Sequence, residues 1–154
     1  MLTQVYNRSG FFYYAKSLRK NIRDCGRKGF LLFFDLDGLK RINDLQGHEY
    51  GDRCIREMAD VLRATVDTND LIMRYGGDEF VVFGVCDTEE DVRKLEEKID
   101  IEIGKRNQRK NRTYQLSVSI GHSIHDYYEM EDMNGLIEQA DKEMYEEKRK
   151  KKKV

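Results

Sequence analysis

Apolar residues recur every three or four positions in four stretches of the chain, and this spacing predicts four helices that each pack one face inward. The first helix follows Asn7 and Arg8, and Thr88 is placed to cap the third. The inward positions are Phe11, Phe12, Tyr14, Leu18 and Ile22 in the first helix, Ile55, Met58, Leu62 and Val66 in the second, Val92, Leu95, Ile99 and Ile103 in the third, and Met133, Leu136, Ile137, Ala140 and Met144 in the last.

Short apolar runs lie between these helices and predict strands near residues 30–35, 70–74, 79–84 and 113–122. Gly76 and Gly77 separate the second and third runs. Paired glycines between two strands are typical of a tight hairpin turn, because glycine reaches positive φ without steric cost. Strands that interleave with helices favour an α/β (α+β) sandwich, in which helices flank a mixed sheet with a central β-hairpin.

The hairpin turn carries two adjacent carboxylates, Asp78 and Glu79, and is followed by Phe80, which we expect to anchor it in the core. Adjacent carboxylates repel each other unless solvent, a base or a divalent cation compensates, so the pair indicates a metal site. An ordinary hydrated turn is the alternative for this segment by itself, since Gly, Asp and Glu are common in turns.

A second acidic segment begins at Asp35, directly after the apolar run 29–34. A buried strand there would place Asp35 at its C-terminal end. If that strand lies beside the hairpin, Asp35 and Asp78 converge on a hard cation that prefers oxygen ligands and leaves room for substrate phosphates. Two-carboxylate sites of this kind serve nucleotidyl transfer. We discount a calcium-binding EF-hand loop, because Gly38 comes too early for one.

Composition supports one compact domain, because 154 residues with a hydrophobic content of 39% can build a core; we assign it to residues 1–154. The formal net charge of −1 gives no global basic field, so we expect neither a nucleic-acid partner nor direct membrane contact. No apolar run approaches the roughly 20 residues that span a bilayer. Cys25, Cys54 and Cys86 are odd in number and widely spaced, which favours a reducing, cytoplasmic location.

The two acidic segments together resemble the GGDEF domain of diguanylate cyclases, which condense two GTP molecules into cyclic di-GMP and release pyrophosphate. Further segments match the family in the expected order, and the resemblance covers nearly the whole chain. The matching segments are 2–8 (with Gln4 where glycine is usual), 35–44, 47–52, Arg74 with 76–80, 117–121 and 140–148. The resemblance implies a palm-like nucleotide cyclase fold and the synthesis of cyclic di-GMP as the activity.

The resemblance also implies a metal site for Mg²⁺ (or Mn²⁺) that is held by Asp35, the Leu36 carbonyl and Asp78. Glu79 is implied either as a second metal contact or as the residue that assists deprotonation of the attacking ribose 3′-hydroxyl. Asp78 and Glu79 are accordingly the predicted catalytic residues. Enzymes accelerate phosphoryl transfer largely by electrostatic positioning of this kind.

Asn43 and Asp52 resemble the pair of residues with which the family binds guanine. The chemistry suits this role, because a carboxylate accepts hydrogen bonds from guanine N1–H and the exocyclic amine, while Asn can pair with the remaining edge. Each residue has a structural alternative: Asn43 can cap a helical turn, and Asp52 can lie in the first turn of a helix, where the helix dipole stabilises it.

Binding of the triphosphate is implied for the backbone amides of Gly38 and Leu39 and for the side chains of Lys40, Lys148 and Lys152. Lys152 falls where the family usually has arginine. It lies one helical turn beyond Lys148, so both side chains can face the same pocket.

Many family members bind product dimers through an Arg-x-x-Asp motif upstream of the hairpin and thereby lose activity. The matching stretch here begins at Asp67 and ends at Asp70. Asp70 is retained, whereas Asp67 replaces the arginine. Because an acidic Asp67 repels the phosphates of the product, we expect this inhibitory site to be non-functional.

The active site of the family lies between two domains that each contribute one GTP, so the resemblance implies a homodimer. A sensory or coiled-coil segment normally brings the domains together, and we expect this chain to be a domain excised from a longer multidomain protein, with membrane attachment open for that parent. The alternative function is a catalytically silent module that binds GTP or cyclic di-GMP and regulates a partner, against which the intact carboxylates count. A cyclase with altered base choice is disfavoured by the retained Asp52.

Overall fold

The computed structural model describes residues 5–129 and 132–152, without the side chain of Lys152; the predicted match at Leu2 to Gln4 lies outside this range. The helices are α1 (Arg8–Cys25), α2 (Leu39–Gln46), α3 (His48–Thr65), α4 (Glu89–Asn107) and α5 (Met133–Lys152). The strands are β1 (Val5–Tyr6), β2 (Lys28–Leu36), β3 (Leu71–Arg74), β4 (Glu79–Cys86) and β5 (Val118–His125), and a 3₁₀ turn (Tyr127–Glu129) follows β5.

The five strands form one mixed sheet in the order β1-β3-β4-β2-β5. β1 is parallel to β3, and the other neighbouring pairs are antiparallel. The β3–β4 hairpin therefore lies inside the sheet with β2 beside it. A mixed sheet flanked by helices confirms the predicted α+β fold class.

Helices cover both faces of the sheet, so the core consists of two apolar clusters. On one face α3 and α4 pack against Leu32 and Phe34. On the other face α1 and α5 pack against Leu31 and Phe33. Successive side chains of β2 thus enter opposite clusters, which is why its sequence is continuously apolar rather than alternating.

The four predicted helices are all present, and Thr88 caps α4 as expected. The Thr88 hydroxyl accepts from the Asp91 N–H, and the Asp91 carboxylate accepts from the Thr88 N–H at 3.0 Å, which completes a capping box. Tyr14 was predicted to face inward but is 46% exposed. Phe80 is buried, as predicted for the anchor of the hairpin.

The start of β5 was predicted wrongly, because the strand begins at Val118 rather than at residue 113. The Asn107 side chain pairs with both backbone groups of Leu116: its Nδ2 donates to the Leu116 carbonyl and its Oδ1 accepts from the Leu116 N–H, each at 2.8 Å. With both groups already paired, Leu116 needs no strand partner.

β1 and α2 were not predicted. β1 has only two residues. α2 contains no buried residue, so it lacks the apolar spacing by which the longer helices were recognised.

Cys25 is exposed and Cys54 and Cys86 are buried, and all three thiols are free, in agreement with the sequence. Within residues 5–129 and 132–152, no helix is both long enough and apolar enough to cross a membrane.

Candidate active site

Three carboxylates meet at one end of the sheet, where β2 ends and β4 begins. Asp35 lies directly opposite Glu79 in the antiparallel ladder. The Leu36 N–H donates to the Asp78 carbonyl at 3.0 Å, which places the end of the hairpin turn beside the end of β2. Asp35 lies two positions beyond Phe33, so its side chain is on the α5 face of the sheet.

The carboxylates perturb one another because they are partly buried together. Burial raises the pKa of Asp35, the hydrogen bond from Lys148 lowers it in part, and the negative charge of Asp78 raises it further. Burial likewise raises the pKa of Glu79, and the charges of Asp35 and Asp78 add to that effect. Clustered carboxylates of this kind are stabilised by a cation.

Asp35 has one oxygen available for such a cation. Its Oδ2 accepts from Lys148 Nζ at 2.7 Å, whereas its Oδ1 is buried without a hydrogen-bond partner among the described residues. An orphaned buried carboxylate oxygen fits a metal ligand. Among the described residues, no group of three or more His, Cys, Asp or Glu side chains is arranged to hold a metal ion without other ligands. The orphaned oxygen of Asp35 fits Mg²⁺, which usually takes one or two carboxylates and completes its shell with water and phosphate oxygens.

Gly76 of the hairpin provides space rather than a special backbone conformation. The predicted hairpin is present, but positive φ among the described glycines occurs at Gly26, Gly38 and Gly47, so the reason given for the paired hairpin glycines does not apply. A Cβ at position 76 would lie 2.3 Å from Glu79 Oε1. Gly76 thus makes room for the Glu79 carboxylate.

Two arginines hold the turn from outside. Arg74 donates to the carbonyls of Gly76 and Gly77, at 3.3 and 2.8 Å. Arg8 donates to the Tyr75 carbonyl at 3.2 Å and stacks over the Tyr75 ring. Sequence analysis noted Arg74 only as part of the family pattern and gave Arg8 no role. These contacts fix the backbone that carries Asp78 and Glu79.

The helix α2 starts at Leu39, one residue after Gly38, whose φ of 69° turns the chain away from β2. Among the residues that the structure describes, no side chain caps this helix N-terminus, so the amides of its first turn can face an anion. Lys40 is exposed in the same turn. The predicted phosphate-binding groups at 38–40 therefore lie immediately beyond the carboxylate cluster.

Asn43 packs against α3 at Gly51, the residue before Asp52. A Cβ at position 51 would lie only 1.8 Å from Asn43 Oδ1, and this buried oxygen has no hydrogen-bond partner among the described residues. Asp52 is exposed. The structural alternatives do not apply: Asn43 lies inside α2 rather than at its cap, and Asp52 lies beyond the first turn of α3, which begins at His48.

α5 brings Lys148 over the end of β2. A Cβ at position 121 would lie 2.2 Å from the Ala140 carbonyl and from the Met144 N atom, so Gly121 allows the backbones of β5 and α5 to approach closely. One turn beyond Met144, Lys148 reaches Asp35.

A second contact between α5 and the site was not predicted from the sequence. Lys151 Nζ donates to Asp37 Oδ2 at 2.8 Å, and Ser117 and Ser119 donate to the same carboxylate. The available signal was that Asp37 lies two residues after Asp35 and therefore on the same side of the extended chain.

The segment that matches the family's inhibitory motif forms a turn of its own. Asp70 Oδ2 accepts from the Asp67 N–H at 3.1 Å, and Asp67 Oδ1 accepts from the Asn69 N–H at 3.3 Å. Burial raises the pKa of Asp70 to about 7. Asp67 is exposed beside it, where the family pattern has arginine.

A family model described as "Diguanylate cyclase, GGDEF domain" matches residues 1–154. The chain belongs to the GGDEF family. The bifunctional diguanylate cyclase/cyclic di-GMP phosphodiesterase MucR of Pseudomonas aeruginosa is 37% identical to this GGDEF domain over 110 residues, which cover 71% of the chain and 16% of MucR. Diguanylate cyclase DgcP of Escherichia coli is 32% identical over 154 residues, which cover 99% of the chain and 45% of DgcP. The chain thus spans less than half the length of either relative.

The fold of this GGDEF domain also matches a solved structure. The GGDEF domain of DgcB from Caulobacter crescentus, crystallised in complex with c-di-GMP, superposes with a TM-score of 0.81 at 27% identity. The match covers 97% of this chain and 88% of that one.

Proposed function

We propose that this GGDEF domain is a diguanylate cyclase that condenses two GTP molecules into cyclic di-GMP and pyrophosphate. The observation that carries the proposal is the convergence of Asp35, Asp78 and Glu79 at the end of β2 and the start of β4, beside Lys148. The family and its named relatives support the same reaction. The alternative, a silent binding module, would not need all three carboxylates.

In the proposed site, Asp35, Asp78 and the Leu36 carbonyl hold Mg²⁺ or Mn²⁺, with Glu79 as the further metal contact or as the base. The metal, when bound, neutralises charge on the triphosphate as the phosphoryl bond breaks. Glu79 lies directly opposite Asp35 in the antiparallel ladder, so its carboxylate is placed beside the proposed metal ligands for either role.

We propose that guanine binds between α2 and α3. The Asp52 carboxylate accepts from N1–H and the exocyclic amine, a donor pair that adenine lacks. The side-chain amide N–H of Asn43 donates to an acceptor on the remaining edge of guanine.

We propose that the triphosphate lies between the start of α2 and the end of α5. The amides of Gly38 and Leu39 point their dipoles at it, and Lys40, Lys148 and Lys152 supply positive charge. Lys148 is the best supported of the three lysines, since it already lies against Asp35.

We further propose that catalysis requires a homodimer. The described residues supply one guanine-binding pair and one carboxylate cluster, which suffices for one GTP. The second GTP of the condensation then comes from a second copy of the domain.

The test is product formation by the chain alone and by the chain fused to a dimerising coiled coil, each incubated with GTP and Mg²⁺. Chromatography with mass detection identifies the products. We expect cyclic di-GMP from the fused form, more than from the chain alone, and none after Glu79→Gln.

The matched control is Glu97→Gln, on the exposed side of α4, which should leave product formation unchanged. If the fused protein binds GTP but makes no cyclic di-GMP, the cyclase proposal fails and the regulatory module takes its place.

A further inference from the structure

The Asp37 carboxylate joins three parts of the fold next to the carboxylate cluster. Its Oδ1 accepts from Ser119 Oγ at 2.7 Å, and its Oδ2 accepts from Ser117 Oγ at 2.7 Å and from Lys151 Nζ at 2.8 Å. The Asp37 N–H also donates to the Ser117 carbonyl at 2.8 Å. Asp37 therefore connects the end of β2 with the start of β5 and the last turn of α5.

Lys151 is held at two points by this connection. Besides Asp37, its Nζ donates to the Val118 carbonyl at 2.5 Å. The Asp37 carboxylate is only 20% exposed, although the Lys151 side chain is 49% exposed. The hydrogen bonds from Lys151, Ser117 and Ser119 together occupy both oxygens of the Asp37 carboxylate.

Lys151 and Lys148 form two parallel ion pairs with β2 and the residue that follows it. Lys148 Nζ lies 2.7 Å from Asp35 Oδ2 and 3.9 Å from Asp37 Oδ1. The two lysines are one helical turn apart, and the two aspartates are two residues apart in extended chain. The ends of α5 and β2 are thus joined twice.

Ligand binding would affect the Lys148–Asp35 and Lys151–Asp37 ion pairs differently. Asp35 is a proposed metal ligand, so a cation bound there repels Lys148 and competes with it for the carboxylate. Lys148 is also one of the three lysines proposed to bind phosphate. The partners of Lys151, by contrast, are Asp37 and the Val118 carbonyl, neither of which belongs to the proposed metal site.

We propose that Asp37 and Lys151 are positioning residues that hold the last turn of α5 over the site while Lys148 transfers from Asp35 to the nucleotide phosphates. This inference rests on the proposed function, since it assigns Asp35 to the metal and Lys148 to phosphate. Lys151 acts through Lys148 and does not contact the nucleotide.

The decisive experiment is a double-mutant cycle in nucleotide binding. The probe is the α,β-methylene analogue of GTP with Mg²⁺, which cannot release pyrophosphate, and calorimetry gives its dissociation constant for each variant. We expect Lys151→Met to weaken binding of the analogue about three- to tenfold. The reason is that the ligand must then order the long side chain of Lys148 itself, and ordering one such side chain has a free-energy cost of this size.

In the Lys148→Met background, the same Lys151→Met substitution should have no further effect, because the lysine it positions is gone. Lys151→Arg should retain most of the affinity, since arginine can still donate to Asp37. The matched control is Lys150→Met, which removes an equal charge from the same turn. The Lys150 side chain differs from that of Lys151 because it is 73% exposed and pairs with Glu147.

A second readout needs no nucleotide. Amide hydrogen exchange in residues 146–151 should be faster in Asp37→Asn and Lys151→Met than in the wild-type chain, and unchanged in Lys150→Met. Melting temperatures close to the wild-type value would show that the variants fold.

Additive effects of Lys148→Met and Lys151→Met would overturn the proposal, because Lys151 would then act on the nucleotide by itself. Equal behaviour of Lys151→Met and Lys150→Met in both readouts would overturn it as well. If the wild-type chain does not bind the analogue, the proposed function and the step assigned to Lys148 are overturned. The hydrogen-exchange experiment then still decides whether Asp37 and Lys151 anchor α5.

Discussion

Among single residues, Gly51 leaves the space that the Asn43 side chain occupies in the candidate site. A Cβ on residue 51 would lie 1.8 Å from Asn43 Oδ1, a separation that no real side chain tolerates. Any residue larger than glycine must therefore push the Asn43 amide away from its present position. The site thus depends on a residue that contributes no functional group of its own.

We predict that Gly51→Ala raises the KM for GTP about tenfold, the cost of one displaced hydrogen-bonding group. Stability should not fall in parallel, because Ala favours a helix over Gly by about 1 kcal/mol. Initial rates and melting curves of the dimerised domain measure both effects. Gly104→Ala in α4, where an added Cβ meets nothing within 4 Å, is the control and should leave the KM unchanged.

Asp52 tests the guanine assignment directly. We predict that Asp52→Ala raises the KM for GTP strongly, on the order of 100-fold, because a carboxylate that pairs with two guanine donors is removed. Initial-rate kinetics at varied GTP concentration measure the change. Asp60→Ala, which changes an exposed residue on the same helix that pairs with Arg63, should behave as wild type. An unchanged KM in Asp52→Ala would refute the role.

At the scale of elements, His122 joins β5 to the helices on both faces of the sheet. His122 Nδ1 lies 2.6 Å from Glu96 Oε1 of α4 and 3.6 Å from Glu143 Oε1 of α5, and His122 Nε2 lies 3.4 Å from Glu89 Oε1 of α4. The hydrogen bond to Glu96 opposes the effect of burial and, with the other glutamates, raises the pKa of His122 to about 9. The charged imidazolium thus stabilises the α4–β5–α5 arrangement.

The direction in which the pKa of His122 changes on folding decides how stability depends on pH. Because the folded pKa of about 9 exceeds the ordinary value of 6.5, the stabilisation is complete below pH 6.5 and is lost as the pH rises through 9. Glu89 and Glu143 are about half exposed, so screening reduces the effect to about 1–2 kcal/mol.

We predict that the wild-type chain loses about 1–2 kcal/mol of stability relative to His122→Gln between pH 6.5 and 9.5. Urea unfolding at the two pH values measures the difference. His48→Gln, which changes an exposed histidine at the start of α3, should keep the wild-type dependence. Parallel pH profiles for wild type and His122→Gln would contradict the prediction.

The packing of α5 on β5 has its own test at Gly121. Since a Cβ there would meet the α5 backbone at 2.2 Å, we predict that Gly121→Ala costs about 1–3 kcal/mol of stability. The same shift moves Lys148, so binding of the α,β-methylene GTP analogue should weaken as well. Thermal unfolding and calorimetry measure these effects, and a variant with unchanged melting temperature would show that α5 moves without cost.

At the scale of the whole molecule, regulation by product depends on the surface around Asp67. This exposed carboxylate borders a hollow of about 310 Å³ whose lining also includes Asp70, Asp91, Lys94 and Lys98. The two lysines can attract phosphate, but the three aspartates oppose them, and the arginine of the family motif is replaced.

We predict that cyclic di-GMP does not inhibit the wild-type domain at this site, and that Asp67→Arg introduces inhibition. Titration of cyclic di-GMP against initial rate measures both. Potent noncompetitive inhibition of the wild-type domain that disappears on substitution of Asp70 would contradict the prediction.

The sequence by itself determined the four longer helices, most of the strands and, through their order, the fold class, because the apolar spacing of each element lies within a few residues. The apolar run before Asp35 is buried on both faces, and the hairpin around Asp78 and Glu79 is a local turn, so both acidic segments were recognisable from the chain. The family resemblance then assigned Asn43 and Lys148 before any geometry was known.

Only the tertiary structure decided which groups fill the spaces between those elements. The start of β5 depends on Asn107. Glycine is needed at position 76 because the Glu79 carboxylate lies there, and the position of the Asn43 side chain depends on Gly51. The Asp37–Lys151 pair joins residues 114 positions apart. Such contacts leave no periodic signal, because the partners are neighbours only after the sheet and its helices have packed.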